Sequence, residues 1–291
     1  MAKTVSFLGL GNMGCPMAAN LVEAGFEVRG FDPSPDACQR ATEKGVAICG
    51  SPAEAARGAQ VICSAVPETE HDIEAYLGEE GALSAAMGET VCFDFSTISV
   101  AGSQRIALEA KEKGIRFLDT PMSGSVPHAE AGKLAIMVGG DREALETHRN
   151  VLETIGEKIN YFGPNGSGLT MKLVTNLIFA VHISGIAEGL TLGKKAGLDP
   201  EAMVGFLKES VIPKILDYKA SPMIAKNYNP IATVNIMRKD LRTILAMAED
   251  QKVPVPLCAT SHQAFVGAAA LGFEEQDLNA VLEYFEKGAG F

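Results

Sequence analysis

A single lysine interrupts an apolar stretch of the chain, GSGLTMKLVTNL at residues 166–177, and apolar residues continue beyond it. This pattern predicts a long helix from about residue 168 to 195 that is buried for much of its length. The residues one helical turn from the lysine are uncharged, namely Gly168, Leu169, Thr175 and Asn176. Because a buried ammonium group needs a partner or a chemical role, either Lys172 extends its amine to water or a group from outside this helix meets it.

A glycine-rich motif near the N-terminus indicates dinucleotide binding. The sequence GLGNMG matches GxGxxG, follows a strand-like segment and opens a predicted helix. Gly9 permits a tight turn, Gly11 lets the backbone approach a pyrophosphate, and Gly14 lets the helix pack closely on the strand. Asn12 and Met13 lead into the first helical turn, whose backbone amides and dipole then receive the phosphate charge.

The next predicted strand ends in an aspartate that indicates which dinucleotide the site accepts. Asp32 follows Gly14 by 18 residues, in the segment FDPSPD, and no arginine follows it there. Its carboxylate can accept hydrogen bonds from both ribose hydroxyls of NAD, whereas it repels the 2′-phosphate of NADP. We therefore expect NAD as the preferred cofactor and NADP as the alternative.

Short β-rich runs alternate with helical stretches through the first half of the chain. The predicted strands are TVSFLGL, EVRGFD, QVICSAV, ETVCFDF, IRFLDT, LAIMVGG and INYFG. This alternation is typical of a doubly wound, mostly parallel α/β sheet with helices on both faces, the Rossmann arrangement. Strand signals almost vanish after the turn-rich segment 163–166. We predict a Rossmann domain at 1–163 and an all-helical substrate and dimerisation domain at 164–291 that begins with the long helix.

Helical patterns dominate the second half. Beyond the long helix, the predicted helices are DPEAMVGFLKES, MRKDLRTILAMAEDQ, VPLCATSHQAFVGAAALG and EQDLNAVLEYFEKG. Asp199 is expected to cap the first of these, with Pro200 in its first turn. The long apolar helix is expected to bury surface against a second subunit, in a homodimer or a homotetramer.

Charge and composition restrict the classes of partner. The formal net charge is −11 at pH 7, which argues against nucleic acid or an anionic membrane surface as the main partner. No apolar run is expected to reach the roughly 20 residues that span a bilayer, and the N-terminus lacks signal-peptide features, so we expect a cytoplasmic protein. The six cysteines form no CxxC pair, and we expect them to pack as small hydrophobic residues, with no disulfide or metal site.

Four motifs in order give the chain a resemblance to a known enzyme family. They are FLGLGNMGCPMAANL at 7–21, DTPMSGS at 119–125, GSGLTMKLVTN at 166–176 and KDL at 239–241. With these motifs the chain resembles the β-hydroxyacid dehydrogenases over nearly its whole length. That group includes 3-hydroxyisobutyrate dehydrogenase and tartronate semialdehyde (glyoxylate/succinic semialdehyde) reductase.

The resemblance implies how the substrate is held and converted. Ser123 and Gly124 would hold its carboxylate, Asn176 would position it, and Lys172 would be the catalytic acid/base. A ketone or aldehyde that accepts hydride develops alkoxide charge, which an ammonium group stabilises and protonates. Burial of Lys172 is expected to lower its pKa and so ease proton exchange near neutral pH.

The resemblance also assigns residues on the cofactor side. Lys239 would lie beside the nicotinamide and the substrate, with Asp240 supporting it. Thr97 would touch both cofactor and substrate, and Pro67 would flank the adenine. Without the resemblance, Lys239 and Asp240 read as plain surface charges, and PMSGS as an ordinary turn after a strand.

Departures from the family pattern lie near the expected substrate. Ser125 stands where many relatives have glycine, Thr175 where they have asparagine and His128 where they have a small residue. The segment before KDL also lacks a phenylalanine that is common there. These changes leave the reaction class intact but leave the substrate open. His128 either bonds a second polar group of the substrate or lies at the rim of the loop, and we expect the rim.

These observations favour an NAD(P)-linked dehydrogenase or reductase acting on a small 3-hydroxy acid, or the matching semialdehyde. An imine reductase of the same fold is the nearest enzyme alternative, although Lys172 favours carbonyl chemistry. A non-catalytic nucleotide sensor is the alternative from another class, and the retained Ser123, Asn176 and Lys239 argue against it. A 6-phosphogluconate dehydrogenase is disfavoured because the chain is short and lacks an obvious basic phosphate cluster.

Overall fold

The computed structural model describes residues 3–209 and 213–291. The chain forms two compact units, Met1–Lys172 and Leu173–Phe291. This division falls inside a helix, nine residues beyond the turn at which the sequence places the domain boundary. The boundary at residue 163 stays a prediction.

A mixed sheet forms the centre of the first unit. Its strands are β1 (Thr4–Leu8), β2 (Glu27–Phe31), β3 (Ala47–Ile48), β4 (Val61–Ser64), β5 (Val91–Asp94), β6 (Arg116–Asp119), β7 (Met122–Ser123), β8 (Leu134–Gly139) and β9 (Gly156–Gly163). Their order is β3-β2-β1-β4-β5-β6-β8-β7, with β9 beside β8. Strands β1 to β6 are parallel, whereas β8 runs antiparallel to β6 and β7. This order and direction confirm the predicted doubly wound Rossmann arrangement.

Helices cover both faces of this sheet. They are α1 (Gly14–Glu23), α2 (Pro35–Glu43), α3 (Pro52–Ala56), α4 (Thr69–Leu77), α5 (Val100–Glu112), α6 (Val126–Glu130), α7 (Arg142–Thr147) and α8 (Arg149–Ile155). Neighbouring strand residues point into different cores: Phe7 packs in the cluster that contains Met17 of α1, and Leu8 in the cluster that contains Ile106 of α5. Burial on both faces explains why the strands read as continuous apolar runs.

The described part of the chain beyond residue 163 contains helices and no strand other than an isolated bridge. The helices are α9 (Ser167–Lys195), α10 (Pro200–Lys208), α11 (Pro213–Ile224), α12 (Val234–Asp250), α13 (Pro256–Ala270) and α14 (Val281–Gly288). The Asp199 carboxylate accepts a hydrogen bond from the Ala202 amide (2.8 Å), as expected of the α10 cap. Ser210, the last residue of the predicted α10 segment, lies outside the described residues.

Helix α9 corrects one expectation from the sequence. It is 29 residues long, and by length and composition alone it is long and apolar enough to cross a membrane. The expectation that no apolar run reaches that length was therefore wrong. The core helix of a globular enzyme passes the same test. Within the single chain, 39% of the most apolar 18-residue stretch of α9 is buried, and the sequence predicts that a second subunit covers further surface of this helix.

All six cysteines are free thiols, and four of them are buried: Cys15, Cys63, Cys92 and Cys258. Burial raises the pKa of each of these four thiols, which keeps them protonated. They behave as small packing residues, the role expected from their positions in apolar runs.

Candidate active site

The glycine motif forms a sharp turn between β1 and α1. Gly9 has φ +86°, and a Cβ there would collide with the carbonyl oxygen of Ala65. A Cβ on Gly14 would collide with the carbonyl oxygen of Gly9, so the helix starts against the turn itself. A Cβ on Gly11 would meet nothing within 4 Å, so the backbone at Gly11 faces open space. The loop thus combines a tight turn with one exposed stretch of backbone.

The start of α1 suits an anion. Met13 is its N-cap and makes no side-chain capping hydrogen bond, and the first turn contains no acidic residue. The amides and dipole of the helix therefore point towards the loop, and no acidic residue of the first turn neutralises them. Strand order reverses between β1 and β4, where α/β sheets open the crevice that binds dinucleotides. The residues present fit the pyrophosphate of NAD(P).

Asp32 follows the last residue of β2 and its carboxylate is fixed by two backbone amides. Its Oδ2 accepts a hydrogen bond from Leu10 (2.7 Å) and its Oδ1 accepts one from Ser34 (2.8 Å). A carboxylate has about four lone-pair sites, so acceptor capacity remains for ribose hydroxyls. The guanidinium of Arg29, a cation near in sequence, is bound to the Glu27 carboxylate at 2.7 Å.

Asp119, the last residue of β6, anchors the start of α9. Its side chain is fully buried, with Oδ1 accepting a hydrogen bond from the Gly166 amide (2.7 Å) and Oδ2 accepting one from the Leu169 amide (2.9 Å). Burial raises the pKa of this carboxyl, and the backbone amides of Gly166 and Leu169 oppose that rise. We call this pair of hydrogen bonds the Asp119 clamp. The sequence analysis quoted Asp119 within a motif but assigned it no role.

Two glycines let the helix start lie directly on the sheet backbone. A Cβ on Gly168 would collide with the Met137 carbonyl and would lie 2.9 Å from the Gly139 amide. A Cβ on Gly139 would lie 2.7 Å from both carboxylate oxygens of Asp119. Neither position has room for a side chain. The backbone of the first turn of α9 therefore packs directly against the backbone of the sheet.

Lys172 lies on α9 one turn beyond this clamped start. The structure places it as a half-buried residue on this helix. The segment that contains Ser123 leaves β6 directly after Asp119. Within the first unit, the clamp thus connects the helix that carries Lys172 with the chain that leads into the predicted substrate loop.

The predicted substrate loop is held by strand pairing and by a helix cap. Ser123 pairs with Ala135 of β8, and Gly124 has φ +143°, where an added Cβ would lie 2.7 Å from the Leu134 side chain. The exposed His128 ring forms a capping box with Ser125, which caps α6: Nδ1 lies 2.9 Å from the Ser125 hydroxyl and 3.3 Å from the Ser125 amide. His128 therefore shapes the loop locally, a role that the sequence analysis did not anticipate.

The loops after β4 and β5 carry Pro67 and Thr97. The Val66 amide donates a hydrogen bond to the Ser96 hydroxyl (3.0 Å), which ties the two loops together. Thr97 is half-buried, and Pro67 is exposed. Both lie at the carboxyl edge of the sheet, as the cofactor assignment requires.

Three of the predicted residues form a chain in the second unit. The Asn176 amide donates to Asp240 Oδ2 (2.7 Å), and Lys239 Nζ lies 2.9 Å from Asp240 Oδ1. The Lys239 contact is an ion pair that lacks the orientation of a hydrogen bond. Asn176 and Asp240 are buried and the Lys239 side chain is only 13% exposed, so these are not plain surface charges. The sequence predicted support of Lys239 by Asp240 but not the bond from Asn176.

No cluster of three or more histidine, cysteine, aspartate or glutamate side chains that could hold a metal ion occurs among the residues described here.

Comparison with known proteins places these features in context. Residues 4–163 match the family described as the NAD-binding domain of 6-phosphogluconate dehydrogenase, and residues 166–285 match the family described as NAD-binding of NADP-dependent 3-hydroxyisobutyrate dehydrogenase. A 3-hydroxyisobutyrate dehydrogenase of Pseudomonas aeruginosa is 35% identical, over 94% of this chain and 95% of the relative. A 2-(hydroxymethyl)glutarate dehydrogenase of Eubacterium barkeri is 33% identical, over 98% of this chain and 96% of the relative.

A solved structure agrees over the same length. The 3-hydroxyisobutyrate dehydrogenase of Mycobacterium tuberculosis with L-serine superposes with a TM-score of 0.89 and 34% sequence identity, and the match covers 97% of this chain and 99% of that chain. The similarity therefore extends through both units.

The Asp119 clamp leads to a testable prediction. Asp119→Asn replaces one acceptor by a donor that faces a backbone amide, so we expect the free energy of unfolding to fall by about 1–3 kcal/mol. We expect kcat to fall at least roughly tenfold, because small displacements of catalytic groups are costly. Asp141→Asn is the matched control, since Asp141 caps α7 in the same way (2.8 Å to the Ala144 amide) on a helix without a predicted site residue. Equal losses of kcat in the two variants would contradict the prediction.

Proposed function

Because the chain belongs to the β-hydroxyacid dehydrogenase family of NAD(P)-dependent oxidoreductases, we propose that it interconverts a small 3-hydroxy acid and the corresponding semialdehyde. The observation that carries the proposal is Lys172 on a helix clamped to the sheet beside the start of the loop that holds Ser123. This arrangement provides a proton donor and a carboxylate-binding loop within one compact unit.

The names of the relatives support a substrate with a fixed core and a variable branch. In 3-hydroxyisobutyrate, 2-(hydroxymethyl)glutarate and L-serine, a CH₂OH group and a carboxylate are attached to the same carbon, which lies between them. They differ in the group on the carbon between: a methyl, a carboxyethyl or an amino group. We propose that Ser123 and Gly124 bind the shared carboxylate. Ser125 and Thr175, which depart from the family pattern, are proposed to take part in selecting the branch.

Lys172 is proposed as the general acid/base. In the direction of reduction, its ammonium stabilises negative charge on the substrate oxygen and donates a proton from Nζ. In the direction of oxidation, the neutral amine takes the proton from the substrate hydroxyl. Asn176 lies one turn further along α9, on the same face, and is proposed to position the substrate. When bound, the nicotinamide of the dinucleotide accepts or supplies the hydride.

Further residues are proposed to bind the dinucleotide. Gly9, Gly11, Asn12, Met13 and Gly14 would receive the pyrophosphate, and Asp32 the ribose of the adenosine. Pro67 would flank the adenine. Thr97, Lys239 and Asp240 would lie at the nicotinamide end. We propose NAD as the preferred cofactor, on the basis of the carboxylate at Asp32.

The alternatives account for fewer of the residues. An imine reductase would not need the proposed carboxylate-binding loop. A nucleotide sensor would not need the linked side chains of Asn176, Asp240 and Lys239. We also propose a cytoplasmic homodimer or homotetramer, in which α9 contributes surface to the partner.

Replacement of Lys172 tests its catalytic role. Lys172→Ala should lower kcat by about 100-fold or more, the usual scale for loss of a general acid/base. NADH affinity should change little, because the proposed phosphate contacts are at the glycine loop. Lys195→Ala removes an equal charge from an exposed position on the same helix and should retain kcat within about twofold. Near-normal turnover by Lys172→Ala would remove Lys172 from the mechanism.

The preference for NAD over NADP tests the proposed role of Asp32 in binding the ribose. It is measured with a panel of substrates, so that the same experiment identifies the preferred hydroxy acid. With a panel of short 3-hydroxy acids, kcat/KM should be roughly 10- to 1,000-fold higher with NAD than with NADP. Two like charges at about 4 Å and an effective dielectric near 20 repel by on the order of 4 kcal/mol before relaxation. Asp32→Asn combined with Pro33→Arg should shift the preference towards NADP, whereas the exposed neighbour variant Asp36→Asn should not. Equal or better kcat/KM with NADP in the unmodified enzyme would refute the assignment.

A further inference from the structure

Two carboxyl groups are buried together beneath the proposed cofactor loops. Asp94 is the last residue of β5, Asp72 lies on α4, and both are fully buried. Each carboxyl influences the pKa of the other, so the two side chains are close neighbours. Among the described residues, the main influences on the pKa of the two carboxyls are burial, the other carboxyl and serine hydrogen bonds, and no lysine or arginine is one of them.

The hydrogen bonds around Asp94 fix the direction of donation. Asp94 Oδ1 accepts a hydrogen bond from the Ser96 amide (2.9 Å) and another from the Ser64 hydroxyl (2.9 Å). Because Ser64 gives its single proton to Asp94, the Tyr76 hydroxyl, 2.9 Å away, must donate to Ser64. Burial raises the pKa of Asp94 to about 6, and the hydrogen bonds from Ser96 and Ser64, which ends the chain from Tyr76, oppose that rise.

Asp72 has the opposite surroundings. Neither of its oxygens, nor Oδ2 of Asp94, makes a well-oriented hydrogen bond with a donor in the structure. The Ser96 hydroxyl lies against both carboxyls but has only one proton to give. Burial, followed by the charge and hydrogen bond of Asp94, raises the pKa of Asp72. A proton on Asp72 would turn one of these unpaired oxygens into a donor for Asp94 Oδ2 and so satisfy both residues.

The pair lies at the junction of two loops. Ser96, which bonds Asp94 through its amide, also accepts the Val66 amide through its hydroxyl (3.0 Å). The first loop continues into Pro67 and the second into Thr97. The carboxyl pair, Ser64 and Ser96 therefore form one network that sets the spacing of the loops after β4 and β5.

We propose that Asp72 and Asp94 hold one shared proton and act as positioning residues that fix the two loops for dinucleotide binding. The second part of this statement rests on the proposed function, because Pro67 and Thr97 are assigned to the cofactor there. Neither carboxyl is a catalytic residue, since each acts through Ser96 and the loop backbone.

The proposal has a definite pH dependence. The other titratable groups that interact with the pair are Tyr76 and Cys92, and burial raises the pKa of both, so they stay neutral. The folded-state pKa of Asp72 is raised above its unfolded value. Its contribution to stability is therefore fully present below the unfolded pKa and is lost as pH rises through the folded pKa. An asparagine at position 72 keeps the donor and removes this loss.

Three variants of the full-length protein provide the test. Asp72→Asn mimics the protonated carboxyl, Asp72→Ala leaves Asp94 Oδ2 without a donor, and Glu70→Gln is the control on an exposed residue of α4. Melting temperature is followed from about pH 5 to pH 9, across the range in which a raised carboxyl pKa acts. NADH affinity is measured by fluorescence, and infrared difference spectra detect the C=O stretch of a protonated carboxyl.

We expect the wild type and Glu70→Gln to show the protonated-carboxyl band near neutral pH and Asp72→Asn to lack it. Asp72→Asn should melt a few degrees higher than wild type at alkaline pH, with a smaller difference in acid, and should bind NADH within about twofold of wild type. Asp72→Ala should bind NADH roughly tenfold more weakly, on the scale of one unsatisfied buried group.

Absence of the band from wild type, or identical stability–pH profiles for wild type and Asp72→Asn, would overturn the shared proton. NADH affinity of Asp72→Ala equal to wild type would overturn the positioning role. If Asp72→Ala does not fold, NADH affinity is measured with Asp72→Leu instead. The shared proton is still tested by the infrared band of wild type and by the dependence of the melting temperature of Asp72→Asn on pH. Failure of the wild type to turn over any hydroxy acid would refute the proposed function alone, because these readouts need no turnover.

Discussion

A buried carboxylate at the end of one strand holds the helix that carries the proposed catalytic lysine. Asp119 needs hydrogen-bond donors because its side chain is fully buried, and it finds them in the amides of Gly166 and Leu169. Gly139 and Gly168 remove the side chains that would keep the helix and the sheet apart. The backbone hydrogen bonds of the Asp119 clamp therefore position the part of α9 from which Lys172 extends.

The same device recurs along the carboxyl edge of the sheet. Asp32, Asp94 and Asp119 follow or end parallel strands, and each accepts at least one backbone amide from the segment that comes after a strand. Their environments differ: Asp32 is partly exposed and faces the proposed ribose site, whereas Asp94 and Asp119 are buried. Similar carboxylates are thus proposed to serve in ribose recognition (Asp32) and loop spacing (Asp94), and one of them attaches a helix to the sheet (Asp119). Their common position follows from the strand direction, which brings all carboxyl ends to one edge.

Local patterns in the sequence predicted the Rossmann sheet, the glycine loop, α9 and the Asp199 cap, because each is encoded within a few consecutive residues. Contacts between distant residues left no such pattern. Asp119 is 47 positions from Gly166, and the two carboxyls of the buried pair come from a helix and a strand. The short elements β3, β7, α3 and α6 contain too few residues to show a repeating pattern of apolar positions. Helix α11 was not predicted, because it contains Pro222 and proline is unusual inside a helix. The sequence predicted that α9 buries surface against a second subunit, but an apolar sequence does not reveal which faces of the helix are covered within the chain itself.

The most direct test of the account is a crystal structure of the enzyme with NADH and a short 3-hydroxy acid. The central claim is that the clamped start of α9 delivers Lys172 to the reacting oxygen. We expect Lys172 Nζ within about 2.6–3.2 Å of the substrate hydroxyl oxygen, or joined to it by one water. The Asp119 clamp should be intact in the same structure. A substrate bound with its hydroxyl roughly 10 Å or more from Lys172 Nζ would contradict the account, because direct proton transfer cannot cross that distance.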